Sequence, residues 1–131
     1  MEIALTLPIL VYGLIGGADL ARAYAAQVAV QNAARAGAEA AAIDYTPTSG
    51  ESVTAAKNEL GNTPGVNPNS ATITVTFTQS DGTTACLQSP SIATPCYANV
   101  RVQYTYTTIG RYPGMPSTFK LDRITKMRRF I

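Results

Sequence analysis

The chain has 131 residues and a net charge of +2, contains no histidine or tryptophan, and carries charged side chains at only 14% of its positions. This length accommodates one small domain with an appended segment, and the small net charge gives no support to nucleic-acid binding. The lack of histidine removes the commonest proton shuttle and metal ligand at neutral pH. No glycine-rich phosphate loop or glycine–serine–glycine elbow is present. We therefore expect no enzyme activity, no cofactor, no metal site and no nucleic-acid partner.

The first 44 residues differ from the rest of the chain in composition. An uncharged apolar run of sixteen residues, Ile3–Ala18, lies between Glu2 and Asp19, and an alanine-rich stretch follows it. We expect a single helix over residues 1–44, followed by a folded head over residues 45–131. A helix of this length is a rod of about 60 Å, longer than a head of that size can cover. Pro8 is expected to kink the helix.

Glycine or alanine occupies every fourth position of this predicted helix. With 3.6 residues per turn, such a stripe drifts about 40° at each step, so several neighbouring helices can approach closely at different heights. We predict that the stripe packs against helices of other subunits. Leucine at Gly37 or Ala33 should then block assembly and leave the head folded. The stripe consists of Gly13, Gly17, Ala21, Ala25, Ala29, Ala33, Gly37 and Ala41.

Two other interpretations of the apolar run stay open. A cleavable signal peptide requires a basic leading region, where this chain has Glu2. A plain membrane anchor would place the head in the cytoplasm, because Arg22 and Arg35 follow the run and no basic residue precedes it. A disulfide in the head would require the opposite side. The two observations agree if Met1 is not the translational start and a basic leader has been removed.

Five charged residues of the predicted helix are candidates for setting the register between subunits, because a desolvated charge without a partner is costly. Glu2 has two interpretations. It is either an interfacial charge that favours the helix N-terminus, or a buried acid that pairs with a cation such as the α-amine of a neighbouring subunit. The five are Glu2, Asp19, Arg22, Arg35 and Glu39.

The remaining sequence predicts a small α+β head. Thr48 and Glu51 form a capping-box pattern before a short helix that ends near Gly61. Alternation of apolar and polar residues predicts strands around residues 73–77 and 100–106. Residues 119–131 fit a strand or a helix, and they include half of the basic residues. We interpret this basic segment as a solvated or subunit-facing edge, with an anion-binding patch as the alternative.

Cys86 and Cys96 are the only cysteines. A pair permits one disulfide, and two free thiols are the alternative, because nothing nearby supplies the further ligands of a metal site. A structural disulfide would indicate an oxidising compartment.

The N-terminal sequence resembles the TadE-like family, which comprises pilin-like proteins of the tight-adherence pilus systems. The resemblance rests on Glu2–Ile3, the Leu7–Pro8 step, Asp19 and the segment from Asn32 to Ala38, and more weakly on the ending ITKMRRFI. Family members show an acidic residue near the mature N-terminus. The acid stands second here, whereas type IV pilins usually have it at the fifth mature position.

This resemblance implies a pilin-like α+β fold, with a long N-terminal helix on a small antiparallel sheet. It implies a precursor cut by a prepilin peptidase, insertion in the cytoplasmic membrane before assembly, and an extracellular head. We expect a structural subunit that polymerises with copies of itself into an extracellular filament with the help of pilus assembly machinery. A minor pseudopilin that primes or caps such a machine and a membrane-anchored surface binding module are the alternatives.

Overall fold

The computed structural model describes residues 2–43, 49–86, 91–111 and 116–129, with the side chains of residues 2–5 and 49 excepted. Two helices precede a short 3-10 turn at Pro68–Ser70 and three strands. The predicted α+β class, a long apolar helix on a small antiparallel sheet, is confirmed. The elements are α1 (Glu2–Ile43), α2 (Ser49–Gly61), β1 (Thr72–Thr78), β2 (Tyr97–Thr107) and β3 (Thr118–Arg128).

Helix α1 has 42 residues, which corresponds to about 63 Å at 1.5 Å per residue. Pro8 lies inside the helix, which continues on both sides of it, and the kink stays a prediction. The predicted division at residue 44 also stays a prediction. The second half of α1 nevertheless contributes directly to the core of the head. The capping-box residue Thr48 lies outside the described residues.

The sheet is antiparallel with the order β1-β2-β3, so β2 is the central strand. Alternate residues of β2 are buried beneath the helices, including Val100, Val102 and Tyr104, and the residues between them face outward. Val75 and Thr125 pair with Val100 from opposite sides. Strand β3 resolves the ambiguity of the last segment in favour of a strand. Its Phe119, Leu121 and Met127 pack against the same core.

The helices form one layer on one face of this sheet. Nine residues of α1 between positions 26 and 42 are buried, one of them a glycine, and α2 adds the buried residues Ala56 and Leu60. The two helices approach closely at Gly37, whose carbonyl accepts a buried hydrogen bond of 2.7 Å from the Ser52 hydroxyl. A Cβ built on Gly37 would lie 3.1 Å from Cγ1 of Val100 and 3.2 Å from Cβ of Ala56. At the point where the three elements meet, even a methyl group would therefore be in tight contact with Val100 and Ala56.

A disulfide joins the segment after β1 to the residue that precedes β2. Cys86 and Cys96 are bonded, with their Cα atoms 5.7 Å apart, as the cysteine pair permitted. Before Cys86, the chain turns at Asp81, whose carboxylate accepts hydrogen bonds from the hydroxyls and backbone amides of Thr83 and Thr84. These bonds favour the charged form and lower the pKa of Asp81 to about 2.

Candidate assembly surface

The two parts of α1 have opposite surroundings. We call residues 6–25 the free segment and residues 26–42 the docked segment. Within the free segment Asp19 is the only buried side chain, and large apolar side chains point outward. Leu10 is 71% exposed and Leu14 is 77% exposed. The other exposed large apolar residues of the free segment are Leu7, Ile9, Val11, Tyr12, Ile15, Leu20 and Tyr24.

Among the described residues, α1 is the one helix that is long and apolar enough to cross a membrane, over Thr6–Ile43. Only 11% of its most apolar stretch is buried, unlike the core helix of a soluble domain. Contiguous exposed apolar surface of this kind marks a contact with lipid or with another protein. The free segment is therefore the candidate assembly surface.

Asp19 joins the free segment to the sheet. Its side chain is only 4% exposed. The carboxylate accepts hydrogen bonds from the backbone amides of Ile109, at 3.0 and 3.1 Å, and Gly110, at 3.0 Å. The Tyr106 hydroxyl also donates to it, at 3.3 Å. A carboxylate that accepts several such bonds is satisfied inside the fold. We call Asp19, Tyr106, Ile109 and Gly110 the Asp19 seam.

The environment of Tyr106 shows the electrostatic character of this seam. Burial raises the pKa of the Tyr106 hydroxyl, and the negative charge of Asp19 raises it further. Burial acts because the ionised hydroxyl would lose its hydration, and Asp19 acts because ionisation would place a second negative charge beside a carboxylate. Tyr106 therefore stays a neutral hydrogen-bond donor at physiological pH. Beyond the seam, the Tyr12 hydroxyl donates a longer bond of 3.4 Å to the carbonyl of Arg111.

An apolar groove runs beside the Asp19 seam. It has a volume of about 560 Å³ and lies between α1 and β3. Leu20 and Tyr24 form an exposed rim. The other principal apolar residues of the groove are Gly16 and Ala23 on α1 and Phe119 and Leu121 on β3.

The five charged residues proposed to set register occupy different environments. The backbone of Glu2 begins α1, and its side chain lies outside the described part of the chain. Arg35 and Glu39 are exposed on the docked segment. Arg22 is exposed too, with its guanidinium against Gly65. Asp19 is turned into the head, where it makes the intramolecular contacts described above. The four whose side chains are described, Asp19, Arg22, Arg35 and Glu39, do not form one cluster, and the role of all five between subunits stays a prediction.

The small-residue stripe divides at the boundary between the two segments. Four members are exposed on the free segment, and four are buried on the docked segment. The burial of two members argues against the expectation that leucine at Gly37 or Ala33 leaves the head undisturbed. Ala33 is fully buried, and Gly37 is enclosed by α2 and β2. The exposed members are Gly13, Gly17, Ala21 and Ala25. The buried members are Ala29, Ala33, Gly37 and Ala41.

Sequence reasoning missed Tyr106, Ile109 and Gly110 as partners of Asp19. Two of these three donate through the backbone, which carries no residue-specific signal. Tyr106 lies in a strand that the sequence predicted. It is 87 residues from Asp19, however, and no local pattern indicates a contact over that separation.

One residue of the basic segment, Arg129, does not fit the interpretation of this segment as a solvated edge. Lys120, Lys126 and Arg128 are exposed, whereas Arg129 is only 5% exposed. The Arg129 guanidinium lies 4.9 Å from the centre of the Phe77 ring, a cation–π contact. Among the described residues no group of three or more histidine, cysteine, aspartate or glutamate side chains could hold a metal ion.

Comparison with known proteins identifies the N-terminal part of the chain. Residues 1–39 match the family model described as TadE-like protein. The chain has no match among curated proteins or among solved structures. The matched range contains the free segment, Asp19 and most of the docked segment. The resemblance inferred from the sequence is thereby confirmed: residues 1–39 of this chain are similar to TadE-like proteins.

Proposed function

We propose that this chain is a structural pilin-like subunit that polymerises through its N-terminal helix into an extracellular filament. TadE-like proteins are pilin-like and associated with the tight-adherence pilus, and they are structural rather than enzymatic. Before assembly the free segment would lie in the cytoplasmic membrane. After processing by a prepilin peptidase and extraction by the assembly machinery, it would pack against copies of itself. The head would then form the outer layer of the filament.

The observation that carries this proposal is the exposed apolar surface of the free segment. A filament supplies neighbouring helices in place of the lipid that covers this surface in the membrane. The exposed small residues of the free segment support its packing against neighbouring helices in a filament. A Cβ built on Gly13 or Gly17 would have no atom within 4 Å, so these positions leave room for the backbone of another helix to approach.

The head supports the extracellular placement. Its Cys86–Cys96 disulfide persists in an oxidising compartment. The outward face of its sheet is polar. Arg101 forms an ion pair with Asp122. Its hydrogen bond to this carboxylate is the main cause that lowers the pKa of Asp122. Such a surface is suited to water.

The decisive experiment is electron microscopy of material sheared from the cell surface, with peptide identification of its main component. We expect filaments composed mostly of this chain, and none from cells that lack it. Filaments in which this chain is a trace component would instead identify a minor pseudopilin. A chain that stays in the membrane without filaments would indicate an anchored binding module.

A pair of substitutions tests whether the free segment carries assembly. Gly17→Leu adds a side chain on the surface proposed to contact other helices, so we expect it to abolish filaments. Gly50→Leu adds the same side chain to an open position on α2, where nothing lies within 4 Å, and should leave filaments intact. Normal filaments from both variants would contradict the proposed use of this surface.

A further inference from the structure

We propose that the groove between α1 and β3 binds the free segment of a second copy of this chain, through a leucine stripe formed by Leu7, Leu10 and Leu14. This inference rests on the proposed function and names the receiving surface on the neighbouring subunit. It assigns one partner, an apolar helix of identical sequence, to a groove that is open in the single chain.

The leucine stripe is a continuous surface on one side of the helix. Residues spaced by three and seven positions lie on the same face, and the three leucines are 54%, 71% and 77% exposed in chain order. No element in the described part of the chain covers them. Outside lipid, each needs a partner that removes it from water.

The groove has the complementary character. Its walls are mostly apolar side chains of α1 and β3, with Gln27, Tyr106 and Thr108 also lining it, and Leu20 and Tyr24 extend its surface outward at 70% and 69% exposure. The Asp19 carboxylate, which also lines the groove, is bonded to the amides of Ile109 and Gly110. An apolar helix can therefore enter without desolvating an unsatisfied carboxylate. The small residues Gly16 and Ala23 in the groove wall allow a close approach.

The positions of the two surfaces on α1 determine the kind of contact. At 100° per residue, the leucine stripe and the α1 side of the groove are roughly 130° apart around the helix axis. They are also separated by about ten residues, or about 16 Å, along it. Each copy therefore offers a donor and a receiver on different surfaces. Such a heterologous contact repeats from copy to copy and produces an open polymer when the rotation does not close.

Cysteine cross-linking in assembled filaments tests the contact. The native cysteines are bonded to each other, so an engineered pair reports only its own proximity. We expect the double variant Leu10→Cys with Tyr24→Cys to give a ladder of covalent multimers on oxidation. The matched control is Ile9→Cys with Tyr24→Cys. Ile9 is as exposed as Leu10, at 71%, but lies about 100° away around the helix, so this pair should stay monomeric.

Filaments that give no ladder with the first pair, or equal ladders with both pairs, would overturn the groove contact and leave the proposed function intact. A density map of wild-type filaments provides a second measurement that needs no substitution. It should show the leucine stripe of one copy in the groove of another, with the two copies offset by about 16 Å along parallel helices. An empty, solvent-facing groove would overturn this proposal alone. Wild-type cells without filaments of this chain would overturn both proposals.

Discussion

The free and docked segments belong to one helix and share one small-residue spacing, yet they use it differently. In the docked segment the small side chains let α2 and β2 approach, as at Gly37. In the free segment the equivalent positions, such as Gly17, face open space. A period of four residues therefore identifies a helix that packs closely without identifying its partner. The partner depends on which face of α1 the stripe occupies, because the chain's own fold already contacts α1 at the height of Gly17, through Asp19.

The largest expected difference between the segments comes from leucine at matched glycines. Gly37→Leu should lower the free energy of unfolding by about 3 kcal/mol, because the new side chain collides with Val100 and Ala56 in a packed core. Gly17→Leu should leave head stability unchanged, since nothing surrounds that position. Urea unfolding of the full chain in detergent, followed by tyrosine fluorescence, measures both. Equal stability of the two variants would remove the distinction between the segments.

Reduction of the Cys86–Cys96 disulfide should have the next largest effect. The bond joins residues ten apart, and releasing a loop of this size costs about 2–3 kcal/mol in the chain-entropy model. Urea midpoints with and without a reducing agent test this, and a Cys86→Ser, Cys96→Ser variant should match the reduced protein. Limited proteolysis should then cut the head while the detergent-covered free segment stays protected. Cleavage of the free segment before the head would contradict the expected protection of the free segment by detergent.

Removal of Asp19 tests the boundary between the segments. Asp19→Ala leaves the amides of Ile109 and Gly110 without their acceptor, so we expect a loss of about 2 kcal/mol in the free energy of unfolding. Glu39→Ala removes an exposed acid of the docked segment, and should change stability by less than about 0.5 kcal/mol. Similar values for the two variants would show that the seam does not hold the helix to the sheet.

The smallest expected effect is a pH dependence at Tyr106. Its pKa in the folded chain is raised by burial and by Asp19, so the folded state retains the proton more strongly than the unfolded state. Its contribution to stability is thus complete below pH about 10 and decreases as the pH rises further. Tyr106→Phe should lose less stability over that alkaline range than the wild type. Parallel unfolding curves at each pH measure the difference, and identical slopes would contradict the prediction.

The elements of the fold could be predicted because their signals are local. The apolar run and the alanine-rich stretch after it indicated α1, and alternation around Val75 and Val102 indicated β1 and β2. The cysteine pair permitted the observed disulfide. Strand β3 was ambiguous, because Leu121 and Met127 fit both a strand and a helix until pairing with β2 decided between them.

The Asp19 seam could not be predicted in the same way. Asp19 was interpreted as a charge that sets register between subunits, since it lies at the end of an apolar run. Two of its observed donors are backbone amides about 90 residues later, and every residue type except proline can supply a backbone N–H. The burial of Arg129 could not be predicted for the same reason. Its position beside Phe77 follows from how β1 and the end of β3 meet, which no local pattern encodes.

The continuity of α1 through both segments has a mechanical consequence. A pulling force applied to the free segment passes along the helix axis directly into the docked segment, without a hinge or linker between them. There it acts parallel to the interface with the sheet, so the whole core resists in shear instead of opening contact by contact. The tensile strength of an assembly built through the free segment would therefore be tied to the folding stability of each head.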